Sequence, residues 1–359
     1  MTSFAFGSLR ARALRGLALR LALRGLALAF LLASAASAEI RIERLDARFD
    51  AVIAPGAAAE TLATGFEWVE GPVWDARTRS LFFSDVIANV LYRWREGEGA
   101  KPFLSPSGYA GAEPFAGREP GSNGLVLDRA GRLILCEHGD RRVTRLEPDG
   151  RRTVLIDRYQ GKRLNSPNDV FLAPNGDLYV SDPPFGLPGA FDDPAKELPF
   201  QGVFRLKSDA SRPKAGAQRA EGERSEYGAL ELLTDRVRAP NGLALSPAGD
   251  VLYVANADRA NPIWLAFPVD GEGKLGTPRT LFDAREWVAQ GLAGVPDGLE
   301  VDAAGRIFAA APGGVHVLAP DGTRLGTLWT GVATGNVHVT PGVLFVTAKD
   351  TVYRIPLVH

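Results

Sequence analysis

The sequence predicts an all-β fold: a six-bladed β-propeller whose last blade is closed by a strand from the N-terminus. Three observations predict it. One hairpin pattern recurs six times along the chain. Its spacing reduces to a unit of about 40 residues, enough for four short strands, and all-β repeats of that size form radial blades. A spare copy of the unit's last strand precedes the first unit.

The clearest unit runs from Asn165 to Asp182 as NSPNDVFLAPNGDLYVSD. A polar lead (Asn168, Asp169) opens an apolar strand, a Pro-Asn-Gly-Asp turn reverses the chain, and a second apolar strand follows. Apolar runs bounded by Gly, Pro, Asn and Asp signal a β-hairpin. Asn123-Gly124 leads LVLDRAGRLIL in the same way, Asn241-Gly242 leads LALSPAGDVLYV, and Asp297-Gly298 leads LEVDAAGRIFA. In all four the turn glycine (Gly131, Gly176, Gly249, Gly305) follows the lead residue by eight positions. Glu70-Gly71-Pro72-Val73-Trp74 and Asn336-Val337 open two looser copies. The lead residues are 53, 45, 73, 56 and 39 positions apart, so insertions rather than a varying unit account for the longer gaps. A β-solenoid needs a much shorter repeat, and no helical period is visible after residue 38.

Residues 1–38 hold five arginines, no acidic residue, and an uncharged run ending Ala36-Ser37-Ala38. A basic start, a short apolar stretch and an A-x-A site describe a secretory signal peptide. The uncharged stretch from Gly25 is 14 residues long, short of the roughly 20 that span a bilayer. The expectation is cleavage after Ala38 and export, periplasmic or secreted. That leaves one propeller domain, 39–359, with no membrane association after cleavage, expected to be a monomer. The remaining chain carries 36 basic and 42 acidic residues, a net charge of −6. No basic stripe appears, which excludes a nucleic-acid partner. Cys136, the single cysteine, lies in the apolar run LILCE and reads as a buried small side chain.

Glu60 to Thr64, in AETLATGF, resembles the tail of every later unit, such as TVLID and RTLFD. It is therefore assigned to the outer edge of the last blade, a closure that removes open sheet edges. Two insertions interrupt unit three, at about 183–201 and 208–228. The second is too polar to bury and reads as a mobile surface loop. The first, with its aromatic residues and prolines, is expected to cover one mouth of the channel. Trimming Ala190 to Leu198 should then change KM more than stability.

The first strand of a propeller blade lines the channel, so equivalent lead residues converge. Here they are Glu70, Asn123, Asn168, Asn241, Asp297 and Asn336, two carboxylates and four amides. Oxygen donors of this kind suit hard divalent cations. Asn-Gly and Asp-Gly also form turns, but the turn is already supplied eight residues later, and Glu-Gly-Pro is no favoured turn. One divalent ion is expected, calcium first, with zinc, manganese or magnesium as alternatives. His138, in CEHGDRR, ends the second strand of unit two on the channel side and is a candidate for substrate contact or proton transfer. Asp85, Asp182 and Asn256 end the matching strands, as partners of the site or as strand stops. No G-x-S-x-G elbow and no H-E-x-x-H pair is present, which argues against a serine esterase and a zinc protease.

EGPVW, PNGLALS, PDGLEVDAAGRIF and above all NSPNDVFLAPNGDLYVSDPPFGL resemble the family of gluconolactonases, regucalcin and luciferin-regenerating enzymes, over roughly residues 60–357. The resemblance implies a six-bladed propeller with one catalytic divalent metal in the channel. By matching motifs, it implies metal ligands at Glu70, Asn241 and Asp297, with Asp297 also the candidate general base. Asn168 matches a residue that contacts substrate, and Asn123 and His138 join it as candidates. Regucalcin-like members carry a substrate-binding arginine where this chain has Ser166, which matches the bacterial gluconolactonase branch better.

The reading is a metal-dependent hydrolase of a sugar lactone, typically D-glucono-1,5-lactone, with metal-activated water attacking the lactone carbonyl and Asp297 taking its proton. The alternatives keep the propeller: a hydrolase of other lactones or organophosphate esters, or a non-catalytic, calcium-stabilised binding module.

Overall fold

A computed structural model describes residues 40–208 and 227–358. The expected signal segment and all but the edges of the second insertion lie outside the described residues. The described chain forms six small antiparallel sheets arranged as a six-bladed β-propeller, with a two-stranded ribbon, Arg158–Tyr159 and Lys162–Arg163, beside them. Blade 1 shows the plan: Val69–Asp75, Ser80–Asp85, Val90–Arg95 and Gly99–Leu104 pair in sequence order. Blades 2, 3 and 4 repeat it within 122–156, 170–234 and 240–283.

The turn glycines explain why the hairpins close where they do. Gly131, Gly176, Gly249 and Gly305 have φ of +77°, +94°, +74° and +80°, a conformation that glycine adopts without steric cost. The second strands are largely buried; all six residues of Ser80–Asp85 are. Apolar side chains of neighbouring blades then fill the gaps between sheets. Phe204, Leu206 and Val180 of blade 3 meet Ile134 and Cys136 of blade 2, for example.

The N-terminal strand Glu60–Thr64 pairs antiparallel with Thr351–Pro356, the last strand of blade 6, as its sequence predicts. A second closure was not anticipated. Arg41–Arg44 adds a fifth strand to blade 5, with Arg41 opposite Trp329 and Arg44 opposite Gly326. A short 3-10 turn, Ala47–Ala51, follows, and Asp46 caps it by accepting from the Arg48 amide. That turn delivers Phe49, Val52 and Ile53, all essentially inaccessible, to the core shared by blades 5 and 6.

Two further expectations change. A five-residue α-helix, Arg285–Ala289, follows blade 4; it is too short to leave a periodic signal in sequence. The first insertion, expected to cover one mouth of the channel, is in part packed into the core. Leu187 and Leu198 are buried, Leu198 within the core of blades 2 and 3. Arg141 donates to the Ala195 carbonyl at 2.9 Å, and buried Ser166 links to the insertion through Pro183 and Gly186.

Candidate active site at the channel

The six lead residues form a closed ring, and the glycine that follows most of them explains how. A Cβ on Gly71 would lie 2.2 Å from the Asn123 carbonyl oxygen. At Gly124 it would meet Asn168 and Asp169, at Gly242 the backbone of Asp297 and Leu299, and at Gly298 the Asn336 amide. A Cβ on Gly335 would meet the Glu70 carboxylate at 2.4 Å, which closes the ring. These glycines sit where neighbouring inner strands approach too closely for any side chain. They are not turn residues. Backbone bonds stitch two of the seams, Gly124 to the Asn168 carbonyl and Gly298 to the Gly335 carbonyl, both at 2.8 Å. At the third seam the residue after the lead is Asp169, whose buried carboxylate accepts from the Val170 and Leu243 amides.

The ladders slip at this ring. Pairing shifts register between Glu70 and Val73, Ser122 and Leu125, Pro240 and Leu243, and Thr334 and Asn336. A bulge re-aims the side chain it carries, and here that side chain is the lead residue. In blades 3 and 5 the regular strand starts only at Val170 and Leu299, after Asn168 and Asp297. The strand ends Asp85, Asp182 and Asn256 hold the segments that deliver these residues. Asp85 accepts from the Glu67 and Trp68 amides, Asp182 from Asn165 and Ser166, and Asn256 from Ala239. Each grip includes the residue two positions before a lead residue.

Glu70, Asn123, Asn168, Asn241 and Asn336 are buried, while Asp297 keeps part of its surface open. Trp68 Nε1 donates to Glu70 Oε1 at 3.0 Å, and the Asn241 side chain hydrogen-bonds Asp297. Asn336 is turned aside, its amide engaged with its own strand at Val337 and with Asp169. Burial pushes the carboxyls of both Glu70 and Asp297 well above the usual range. Negative charge adds to it: Glu70 acts on Asp297, and Asp169 and Glu119 act on both. Burial also raises Asp169 to about 7.

Two carboxylates crowded together, with an amide oxygen beside them and further negative charge around, fit a hard divalent cation. Such an ion would offset the repulsion that now favours the protonated forms. Among the described residues, no group of three or more His, Cys, Asp and Glu is arranged to hold a metal. The set Glu70, Asn241 and Asp297 has two carboxylates and relies on the amide for its third donor.

His138 is fully buried behind Asn168, its Nε2 3.3 Å from Asn168 Nδ2. Its other nitrogen faces Glu119, which sequence reasoning missed. Glu119 lies in an irregular segment between blades 1 and 2 and belongs to no repeat, so no spacing pointed to it; Trp68 carried no motif either. Cys136 is buried, as predicted. His316 is stacked on Trp287 at 4.2 Å inside the outer part of blade 5, and burial lowers its pKa to about 3. A cavity of about 760 Å³ lies among the hairpin turns of blades 3, 4 and 5, lined by Asn175, Pro247 and Asp302. Those turns mark the far end of the inner strands, and none of the six lead residues lines it.

The family described as SMP-30/Gluconolactonase/LRE-like region matches residues 68–347. A gluconolactonase of Zymomonas mobilis subsp. mobilis is 41% identical over 293 residues, covering 80% of this chain and 77% of that protein. The solved structure of a gluconolactonase from Xanthomonas campestris superposes with a TM-score of 0.71 at 30% identity, covering 89% of this chain and 95% of that one. The calcium-binding protein regucalcin from Agrobacterium tumefaciens shares the fold, with a TM-score of 0.59 at 17% identity over 84% of this chain and 95% of its own.

Proposed function

This chain belongs to the SMP-30/gluconolactonase/LRE-like family, and from that membership we propose that it hydrolyses a sugar lactone with the help of one divalent cation. The observation that carries the proposal is a pair of ring carboxylates within electrostatic reach of each other, buried Glu70 and partly open Asp297, with the Asn241 amide hydrogen-bonded to Asp297. Glu70, Asn241 and Asp297 would hold the ion, calcium being the first candidate. When bound, such an ion supplies Lewis acidity, which polarises a carbonyl and lowers the pKa of water.

The chain's own residues do the rest. Asp297 is the partly open carboxylate of the pair and is the group we assign to accept the proton of water attacking the lactone carbonyl. Glu70, held by the Trp68 indole, keeps the second negative charge in place. Asn168 and Asn123, two positions round the ring, are assigned to the hydroxyl groups of the substrate. The basic, apolar start of the sequence supports export, and the acidic net charge supports a small-molecule substrate rather than a nucleic acid.

The test is a panel of sugar lactones, aryl lactones and phosphotriesters assayed with the parent and two variants. The parent should be fastest on a sugar lactone. Asp297→Asn keeps an oxygen donor but removes the base, so its rate should fall by about 10²–10⁴-fold. Asn241→Asp adds charge beside the site and should tighten cation binding while lowering turnover. An Asp297→Asn enzyme that stays within a few-fold of the parent would remove the base assignment. A parent active only on phosphotriesters would remove the substrate assignment.

A further inference from the structure

Among the described residues, His138 is the imidazole in contact with a lead residue, and its two nitrogens face different partners. Nε2 lies 3.3 Å from Asn168 Nδ2. Nδ1 is buried, makes no hydrogen bond of ordinary geometry, and lies 3.3 Å from Glu119 Oε2. The backbone fixes this meeting. The His138 amide donates to the Gly121 carbonyl at 3.1 Å, and the Tyr109 amide donates to the Pro120 carbonyl at 2.7 Å. From the other side Gly186 closes on His138, since a Cβ there would lie 2.7 Å from the His138 Cβ. The ring itself is fully buried. The Glu119 side chain keeps about a quarter of its surface open, 24%, so a small rotation completes its bond to Nδ1.

We propose that Glu119 acts through His138 as a positioning residue that fixes which end of the Asn168 amide faces the channel. A carboxylate only accepts hydrogen bonds, so the nitrogen facing it, Nδ1, carries the proton. In the neutral ring Nε2 is then an acceptor. Asn168 must meet it with its NH₂ group, which leaves the carbonyl oxygen Oδ1 free to point away. With Nε2 protonated instead, the amide would flip and present NH₂ to the channel. Asn and Gln orientation follows the surrounding hydrogen-bond network, and here the network starts at Glu119. An outward oxygen suits a substrate that donates hydroxyl groups, such as a polyhydroxylated lactone. It also adds an oxygen to a ring that already collects them. The inference rests on the proposed lactone hydrolysis only for this consequence; the tautomer itself is independent of it.

The experiment uses the full protein supplied with calcium and labelled with ¹⁵N-histidine. Long-range ¹H–¹⁵N spectra distinguish the two tautomers, and the signals missing from His138→Gln assign the ring. The parent should carry its proton on Nδ1. Glu119→Ala should move it wholly or partly to Nε2, raise KM for D-glucono-1,5-lactone by about tenfold, the effect of losing one hydrogen bond of ordinary strength, and leave the melting temperature close to the parent's. Glu119→Gln, whose side-chain oxygen can still accept from Nδ1, should restore both the tautomer and KM. A parent protonated on Nε2, or a tautomer unmoved in Glu119→Ala, overturns the relay. If no lactone is opened yet the tautomer responds as stated, the proposed activity fails and the relay stands. If lactone is opened and the tautomer does not respond, the relay alone fails.

Discussion

Glu70 is held by contacts on separate sides: the Trp68 indole donates to it, Gly335 packs against its carboxyl group, and Asp297 lies within electrostatic reach. Gly335 is the tightest of these, because its close approach leaves no room for even one methyl group. Gly335→Ala must displace the carboxylate or spread the seam between blades 6 and 1. Cation affinity, followed by calorimetric titration with calcium, should weaken by tenfold or more, since a coordinating geometry tolerates only small displacements. An unchanged affinity would mean that Glu70 is not a ligand. The same reasoning separates Asn336 from its five counterparts. Its amide is already committed to Asp169 and Val337, so it is a brace of the ring and not a free donor.

At the scale of elements, the segment 183–201 and the strand end Asp182 work together. Asp182 accepts the Asn165 and Ser166 amides at 2.8 and 2.9 Å, and Ser166 in turn grips Pro183 and Gly186 at 2.7 and 2.8 Å. Ser166 is therefore spent on anchoring the insertion. Because Leu198 sits in the core of blades 2 and 3, Leu198→Ala should destabilise by about 2–5 kcal/mol. Thermal denaturation would read this as a marked drop in melting temperature, and a variant that melts like the parent would show that Leu198 does not anchor the segment. Burial raises Asp182 to about 7 from a usual 3.8. The native state thus keeps a proton that the unfolded chain releases, and stability contributed by this group falls as pH rises from 4 to 7. Asp182→Asn removes that slope while giving up one of two backbone bonds. Its melting temperature should be lower than the parent's at pH 5, with a smaller further drop between pH 5 and 8. Equal slopes in parent and variant would show that the carboxyl group is already ionised at pH 5.

At the scale of the whole molecule, the ring is what makes the site, because each of the six blades contributes one lead residue and the seam glycines let them approach. The repeat was legible because four of the six units place the same turn at the same distance from the lead residue, so the register of Asn123, Asn168, Asn241 and Asp297 could be counted. The strand Glu60–Thr64 was legible because it repeats the tails of the other blades. Arg41–Arg44 was not, being four residues long and without a counterpart in any other unit. Glu119 and Trp68 were hidden for a different reason: their places are set by loops, and loops carry no period. The seam role of Gly71, Gly124, Gly242 and Gly298 was masked by the turn-forming habit of the Asn-Gly and Asp-Gly pairs, which only the three-dimensional closure of the ring distinguishes. The central claim, that Glu70, Asn241 and Asp297 together hold a divalent cation needed for lactone hydrolysis, is tested most directly by one measurement. The initial rate of D-glucono-1,5-lactone hydrolysis is followed by proton release in protein stripped by a chelator, and again after calcium, magnesium, manganese or zinc is added back. The account predicts a rate at the spontaneous level after stripping and recovery with at least one of these ions; full activity in protein verified to be free of metal would contradict it.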